Sequence, residues 1–158
     1  MDAITKVNDL LSALGEFHLD ESRSCVIQHT SGVEVSIEVP QGAEFATFYS
    51  LLVELPPENS EPLLKRALGL NVLPSQIRGG AVAFDPRNGW IVFNLSVDVE
   101  SLDETGFGNA LGNFVDITSE LIPMLSDAAQ RADDSMPGAN LSGKEPSSGD
   151  PSASFLRV

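Results

Sequence analysis

The apolar period of this chain changes once, sharply, between residues 79 and 125, and that change restricts the fold more than any other feature. Ala81-Val82-Ala83-Phe84 is one apolar run, and Trp90 to Val97 is a second. Asp85-Pro86-Arg87-Asn88-Gly89 lies between them. Asn-Gly tolerates the positive φ angles of a tight hairpin turn, and a proline ahead of it presets the approach. In the second run Ile91, Phe93, Leu95 and Val97 share one face by the two-residue period of a strand. Then Phe107, Leu111, Phe114, Thr118, Leu121 and Leu125 recur at steps of four and three, the stripe of a helix. Asp103 is placed to cap that helix, and the acids around it suit the positive end of the helix dipole. A hairpin and a helix with matched apolar faces begin a two-layer core.

The remaining segments supply the other parts of such a core. Residues 3–15 read as a helix with Ile4, Val7, Leu11 and Leu14 in one stripe, Leu10 beside it and Gly15 as C-cap. Residues 24–39 read as a hairpin turning at Ser31-Gly32, with Val33, Val35, Ile37 and Val39 alternating with polar residues. After Pro40-Gln41-Gly42, a third strand runs over 45–55. Phe48 and Leu52 on one side, and Tyr49, Leu51 and Val53 on the other, predict that it is covered on both faces, by its own helices or by another chain. Pro56-Pro57 stops it. Ser60 caps a short helix over 61–71, whose Leu63, Leu64, Ala67, Leu68 and Leu70 make it apolar on more than half its circumference. Such a helix is buried on two sides or lies in a dimer interface. Pro123 predicts a kink in the last helix, with a final turn or two reaching about Arg131.

The order is therefore α-β-β-β-α-β-β-α: a two-layer α+β protein with an antiparallel sheet, not a doubly wound one. Residues 1–132 form the expected domain. Residues 133–158 form a tail rich in Ser, Gly and Pro, expected to be disordered up to a frayed end at Phe155-Leu156-Arg157-Val158.

Composition excludes several functions. The net charge is −14, and nine Lys and Arg scattered over 158 residues build no basic face for nucleic acid or for an anionic membrane. Cys25 is the only cysteine, in an apolar run, and reads as a small buried hydrophobe. The N-terminus lacks a secretory pattern and no apolar run reaches the length of a membrane span, so the expected location is the cytoplasm. Gly106-Phe107-Gly108 lacks the third glycine and the preceding strand of a phosphate loop. His18 and His29 are isolated, and no zinc-ligand spacing occurs. Cys25 and His29 share a strand face but stand about 13 Å apart, too far for a nucleophile and its base. Asp98, Glu100, Asp103 and Glu104 fit helix capping rather than a calcium loop. No catalytic set, metal site or cofactor site emerges, and the surplus of apolar positions points to binding.

Two stretches carry a resemblance to a known family. They are Leu63-Leu64-Lys65-Arg66-Ala67-Leu68-Gly69-Leu70-Asn71 and Gly80-Ala81-Val82-Ala83-Phe84-Asp85-Pro86-Arg87-Asn88-Gly89. The apolar strand to Val97, then Leu102-Asp103, Phe107, Leu111 and Phe114-Val115, follow in the same order, and the hairpin from Cys25 to Val39 also fits. Over most of residues 3–130 the pattern resembles the class I chaperones of bacterial type III secretion, the Tir-chaperone (CesT-like) family. The resemblance implies a homodimer without enzymatic activity or cofactor. It implies a partner too: the N-terminal segment of one or more secreted effectors, held extended and export-competent, with delivery to the secretion apparatus and its ATPase.

On that reading the cargo-binding residues are Leu10, Leu14, Phe45, Phe48, Val92 and Phe93, the last four chosen as neighbours because the sequence does not say which strand face is outward. The dimer interface is assigned to Leu63, Leu64, Ala67 and Leu68. The apolar end of the tail is expected to reach empty cargo grooves. Two alternatives remain at this point: a regulatory or scaffold protein of the same fold (YbjN-like), and a small-molecule-binding α+β domain.

Overall fold

The computed structural model describes residues 2–72, 74–134 and 156–157. The elements are α1 Ala3–Leu14, β1 Ser24–Gln28, β2 Glu34–Glu38, β3 Phe45–Glu54, α2 Glu61–Leu70, α3 Pro74–Ile77, β4 Ala81–Asp85, β5 Trp90–Asp98, α4 Glu104–Asp134 and β6 Leu156–Arg157. The strands form one antiparallel sheet in the order β4-β5-β3-β2-β1-β6. The expected α+β order is present, with α3 and the two-residue β6 added to it. α4 runs past the boundary drawn at residue 132, to Asp134.

Local chemistry explains the ends of these elements. Asp2 caps α1, its carboxylate accepting from the Thr5 backbone N–H at 3.0 Å. Asp103 does the same for α4, accepting from Gly106 N–H at 2.7 Å. In the β4–β5 hairpin only Gly89 takes a positive φ, +79°, and Asn88 acts instead through its side chain, accepting from Trp90 N–H at 3.0 Å. Gly80 has a different role. A Cβ there would stand 2.5 Å from the Phe93 ring and 2.8 Å from the Asn94 carbonyl, so the residue ahead of β4 has no room for a side chain.

The core lies between the inner sheet face and the helices. Cys25, Ile27, Val35, Ile37, Ala46, Phe48 and Phe93 are buried there with Val7, Leu10 and Leu11 of α1 and Leu63, Ala67 and Leu70 of α2. Every residue of the α4 stripe, from Phe107 to Leu125, is buried. The rings of Phe107 and Phe114 meet Phe48 edge-on at 5.5 and 5.7 Å, and Phe114 stacks on Phe93 at 4.9 Å. Thr118 is the polar member of the stripe, and its hydroxyl donates to the Phe114 carbonyl at 2.8 Å, which permits full burial. Pro123 does not end α4. It is exposed, as is Ser119, so the carbonyl freed by the missing N–H faces solvent while Leu121 and Leu125 stay buried on the other side.

Candidate functional site: the outer sheet face and its edges

The outer face carries Ser24, Val26 and Gln28 of β1, Glu34, Ser36 and Glu38 of β2, Phe45, Thr47, Tyr49 and Leu51 of β3, and Val92, Asn94 and Ser96 of β5. The alternation in β3 separates its two faces clearly: Ala46, Phe48, Ser50 and Leu52 are buried, and Thr47, Tyr49 and Val53 are half-buried. Phe45 and Leu51 are exposed at 40% and 39%. Within the protomer β3 is therefore covered by its own helices on one face only.

A polar network organises one end of this face. The Tyr49 phenol donates to Asp85 Oδ2 at 2.9 Å, reaching across β5 from β3 to β4. Asp85 is buried at 7% exposure and accepts from Arg87 Nε at 3.0 Å, Arg87 Nη2 at 3.1 Å and Arg87 backbone N–H at 3.0 Å. The Arg87 hydrogen bonds, reinforced by the Tyr49 phenol, hold the Asp85 carboxyl at a pKa of about 2. Partial burial pushes the Tyr49 phenol up, which keeps it a donor. Asn88 Nδ2 completes the network by donating to Tyr49 Oη at 3.3 Å. The strand under this bridge carries Val92, which accounts for a buried valine on the outer face.

Beside the network the face is concave. A groove of about 530 Å³ crosses it, lined by Val26, Ser36, Glu38, Thr47, Tyr49 and Arg87 among others. A second cleft, about 380 Å³, opens where β2 and β3 part beyond Ser36 and Tyr49, and it reaches Val33, Leu51 and Ile122. The Ser50 hydroxyl bridges that gap by donating to the Glu34 carbonyl.

The two sheet edges differ. On β4, the Asn71 side chain fills the place of a strand: its Nδ2 donates to the Val82 carbonyl and its Oδ1 accepts from Val82 N–H, both at 2.9 Å. On β1, Arg23 and His29 turn their backbone groups toward the β2 side, through Val39 N–H and the Val33 carbonyl. By alternation Ser24, Val26 and Gln28 face away. Ser24 is closed by Asp20, whose carboxylate accepts from Ser24 N–H at 3.0 Å while its own N–H donates to the Ser24 carbonyl at 2.8 Å. Of the other two outward positions, Gln28 stands opposite Leu156 of β6, and Val26 lies between it and Ser24.

The sequence-derived residues divide on this frame. Phe48 and Phe93 are fully buried in the core under α4, and Leu10 is buried while lining a cleft of about 440 Å³ between α1 and the start of α4. Leu14 is half-buried on α1, Phe45 is exposed on the outer face, and Val92 lies beneath the Tyr49–Asp85 bridge. In α2, Leu63 and Ala67 belong to the protomer's own core, Leu64 is half-buried, and Leu68 is 63% exposed. Val72, just after α2, and Phe84, on β4, are also exposed. Val26, Leu51, Val72 and Phe84 were not among the residues the sequence assigned to cargo or to the dimer. The signal for Phe84 was present, since it alternates with Asp85 at a strand end; Val72 stands outside any periodic run. Among the described residues no group of acidic, His or Cys side chains could hold a metal ion, and no helix is long and apolar enough to cross a membrane.

The same architecture occurs in solved structures. A chain of the ExsC-ExsE complex is 19% identical with a TM-score of 0.65, covering 79% of this chain and 97% of that one. A chain of the HopA1-SchA chaperone-effector complex gives 16%, 0.58, 75% and 91% in the same order. The heterodimeric ExoU-SpcU complex from the type III secretion system of Pseudomonas aeruginosa gives 18%, 0.59, 77% and 96%. No curated protein sequence matches the chain. The profile of one family matches residues 7–121, spanning the core from α1 into the middle of α4, and on that match the chain belongs to the Tir chaperone protein (CesT) family.

Proposed function

We propose that the chain is a cytoplasmic type III secretion chaperone that binds the N-terminal region of one or more secreted effectors, keeps it extended and export-competent, and presents it to the secretion apparatus, including its ATPase. Membership of the family makes it a binding protein and not an enzyme. One observation carries the rest: the outer sheet face is grooved and carries exposed apolar residues, Val26, Phe45 and Leu51, next to a β1 edge where Val26 turns its backbone groups outward and Gln28 pairs with only the two-residue β6. An extended peptide can add there as a strand, with alternate side chains entering the grooves. Binding through many modest contacts suits a cargo that must later be released.

The functional unit is proposed to be a homodimer joined through Leu64, Leu68, Val72 and Phe84. Leu68, Val72 and Phe84 are exposed and Leu64 is half-buried, on α2, just past its end and on β4, and none of the four lines the grooves. The experiment is purification of the tagged chain from its native cytosol, mass identification of what accompanies it, and limited proteolysis of the complex. A secreted protein protected over its N-terminal region supports the reading. Association only with folded resident proteins would favour a regulatory role for the same fold.

A further inference from the structure

The sheet does not end at β1. Residues Leu156 and Arg157, the last described segment of the chain, pair antiparallel with β1, with Gln28 opposite Leu156 and Ile27 opposite Arg157. Of the three outward-facing positions on β1, Ser24 is closed by Asp20 and Gln28 receives β6. The opposite edge is closed at Val82 by the Asn71 amide. The chain thus caps Ser24 on one edge and Val82 on the other with its own side chains, and pairs Gln28 with its own C-terminus.

We propose that the C-terminal segment around Leu156-Arg157 is the resident occupant of a strand-acceptor site at the Gln28 end of the outer edge of β1, an occupant that any other incoming strand must displace. The sequence there, Phe155-Leu156-Arg157-Val158, is the one apolar cluster after Asp134, in a span otherwise dominated by Ser, Gly, Pro, Asp and Ala. Gln28 and Leu156 occupy the kind of position at which two strands exchange both backbone hydrogen bonds, so the contact depends on a backbone N–H at residue 156. A covalently attached segment acts at an effective concentration near millimolar, so even a short pairing competes with a free peptide. An unoccupied, flat edge is a template for aggregation, and a strand held in cis removes it. The inference deepens the chaperone reading, because an effector strand would add at the same edge, but its test uses no effector and stands or falls separately.

The test compares the full chain with full-length Leu156→Pro, which lacks the N–H at that position, and with Ser152→Pro as a control outside the paired residues. Two quantities are read: amide exchange at Gln28 by NMR, and binding of a labelled peptide of the sequence Ser152 to Val158 supplied in trans. Leu156→Pro should exchange faster at Gln28 and bind the peptide at least about threefold more tightly than the full chain, with Ser152→Pro unchanged. Identical exchange and identical peptide affinity in all three proteins would overturn the proposal. So would Gln28 protection that rises with protein concentration, since the occupant would then be the C-terminus of a second copy.

Discussion

Tyr49 and Asp85 stand on strands that are not neighbours, yet the Tyr49 phenol donates to Asp85 Oδ2 at 2.9 Å over the strand between them. This bond fixes one wall of the outer groove and closes the sheet over Val92. Both residues line that groove, with Arg87 and Asn88 beside them.

The carboxyl of Asp85 is held at about 2, below its ordinary value, chiefly by Arg87. A depressed carboxyl contributes stability above the unfolded-state value near 4, and that contribution is lost as pH falls toward 2. Asp85→Asn should therefore flatten the acid limb of the stability curve between about pH 4 and pH 2, read by thermal melts across that range. Tyr49→Phe should remove part of the same effect and increase hydrogen exchange at Val92. An acid limb identical to that of the unchanged protein would contradict this account of the network.

Asn71 substitutes for a strand at Val82. Asn71→Ala leaves a part-buried N–H and carbonyl unpaired, and should cost about 1–3 kcal/mol in denaturant unfolding. It should also increase aggregation through the exposed β4 edge. A loss below about 0.3 kcal/mol would mean that solvent serves Val82 equally well.

On the proposed homodimer, Leu68 and Leu63 would separate dimerisation from folding. Leu68 is exposed in the protomer, so Leu68→Asp should yield a folded monomer by light scattering, with a near-unchanged circular dichroism spectrum. Leu63 is fully buried, and Leu63→Asp should fail to fold, because an unpaired charge in the core costs several kcal/mol, roughly. A Leu68→Asp protein that remained dimeric at micromolar concentration would remove α2 from the interface.

Phe114 contacts both Phe48 and Phe93, joining α4 to β3 and β5. Phe114→Ala should cost about 3–5 kcal/mol, the range for a large aromatic removed from a tight core. Equilibrium denaturation measures it, and a loss under about 1 kcal/mol would show that the core collapses into the space.

Periodicity carried most of the fold. The hairpin of Ala81 to Val97 and the stripe from Phe107 to Leu125 were readable because each buries one face and leaves the other wet. The same signal does not say which face of a strand with two apolar sides meets the helices. Val92 and Phe93 point to opposite faces and both are buried, one by a polar bridge and one by helices. α3 is a single turn, too short for a period. The Asn71 clamp and the Tyr49–Asp85 bond join residues distant in sequence, which no local pattern encodes. β6 pairs only two residues, in a span whose composition reads as tail, so its strand character comes from the edge it meets. In α2, the row of Leu63 and Ala67 and the row of Leu64 and Leu68 are equally apolar, and only packing against α4 assigns the first to the core.

On the proposed function, the outer sheet face and the β1 edge take up an extended effector segment. A photo-reactive residue placed at Val26 in the full chain, crosslinked in the native cytosol and mapped by mass spectrometry, tests it most directly. The account predicts adducts within the N-terminal region of an exported protein, and their loss when the same group is placed at Leu68 on the α2 surface. No adduct at Val26 alongside effector adducts at Leu68, or adducts at Val26 confined to folded resident proteins, would contradict it.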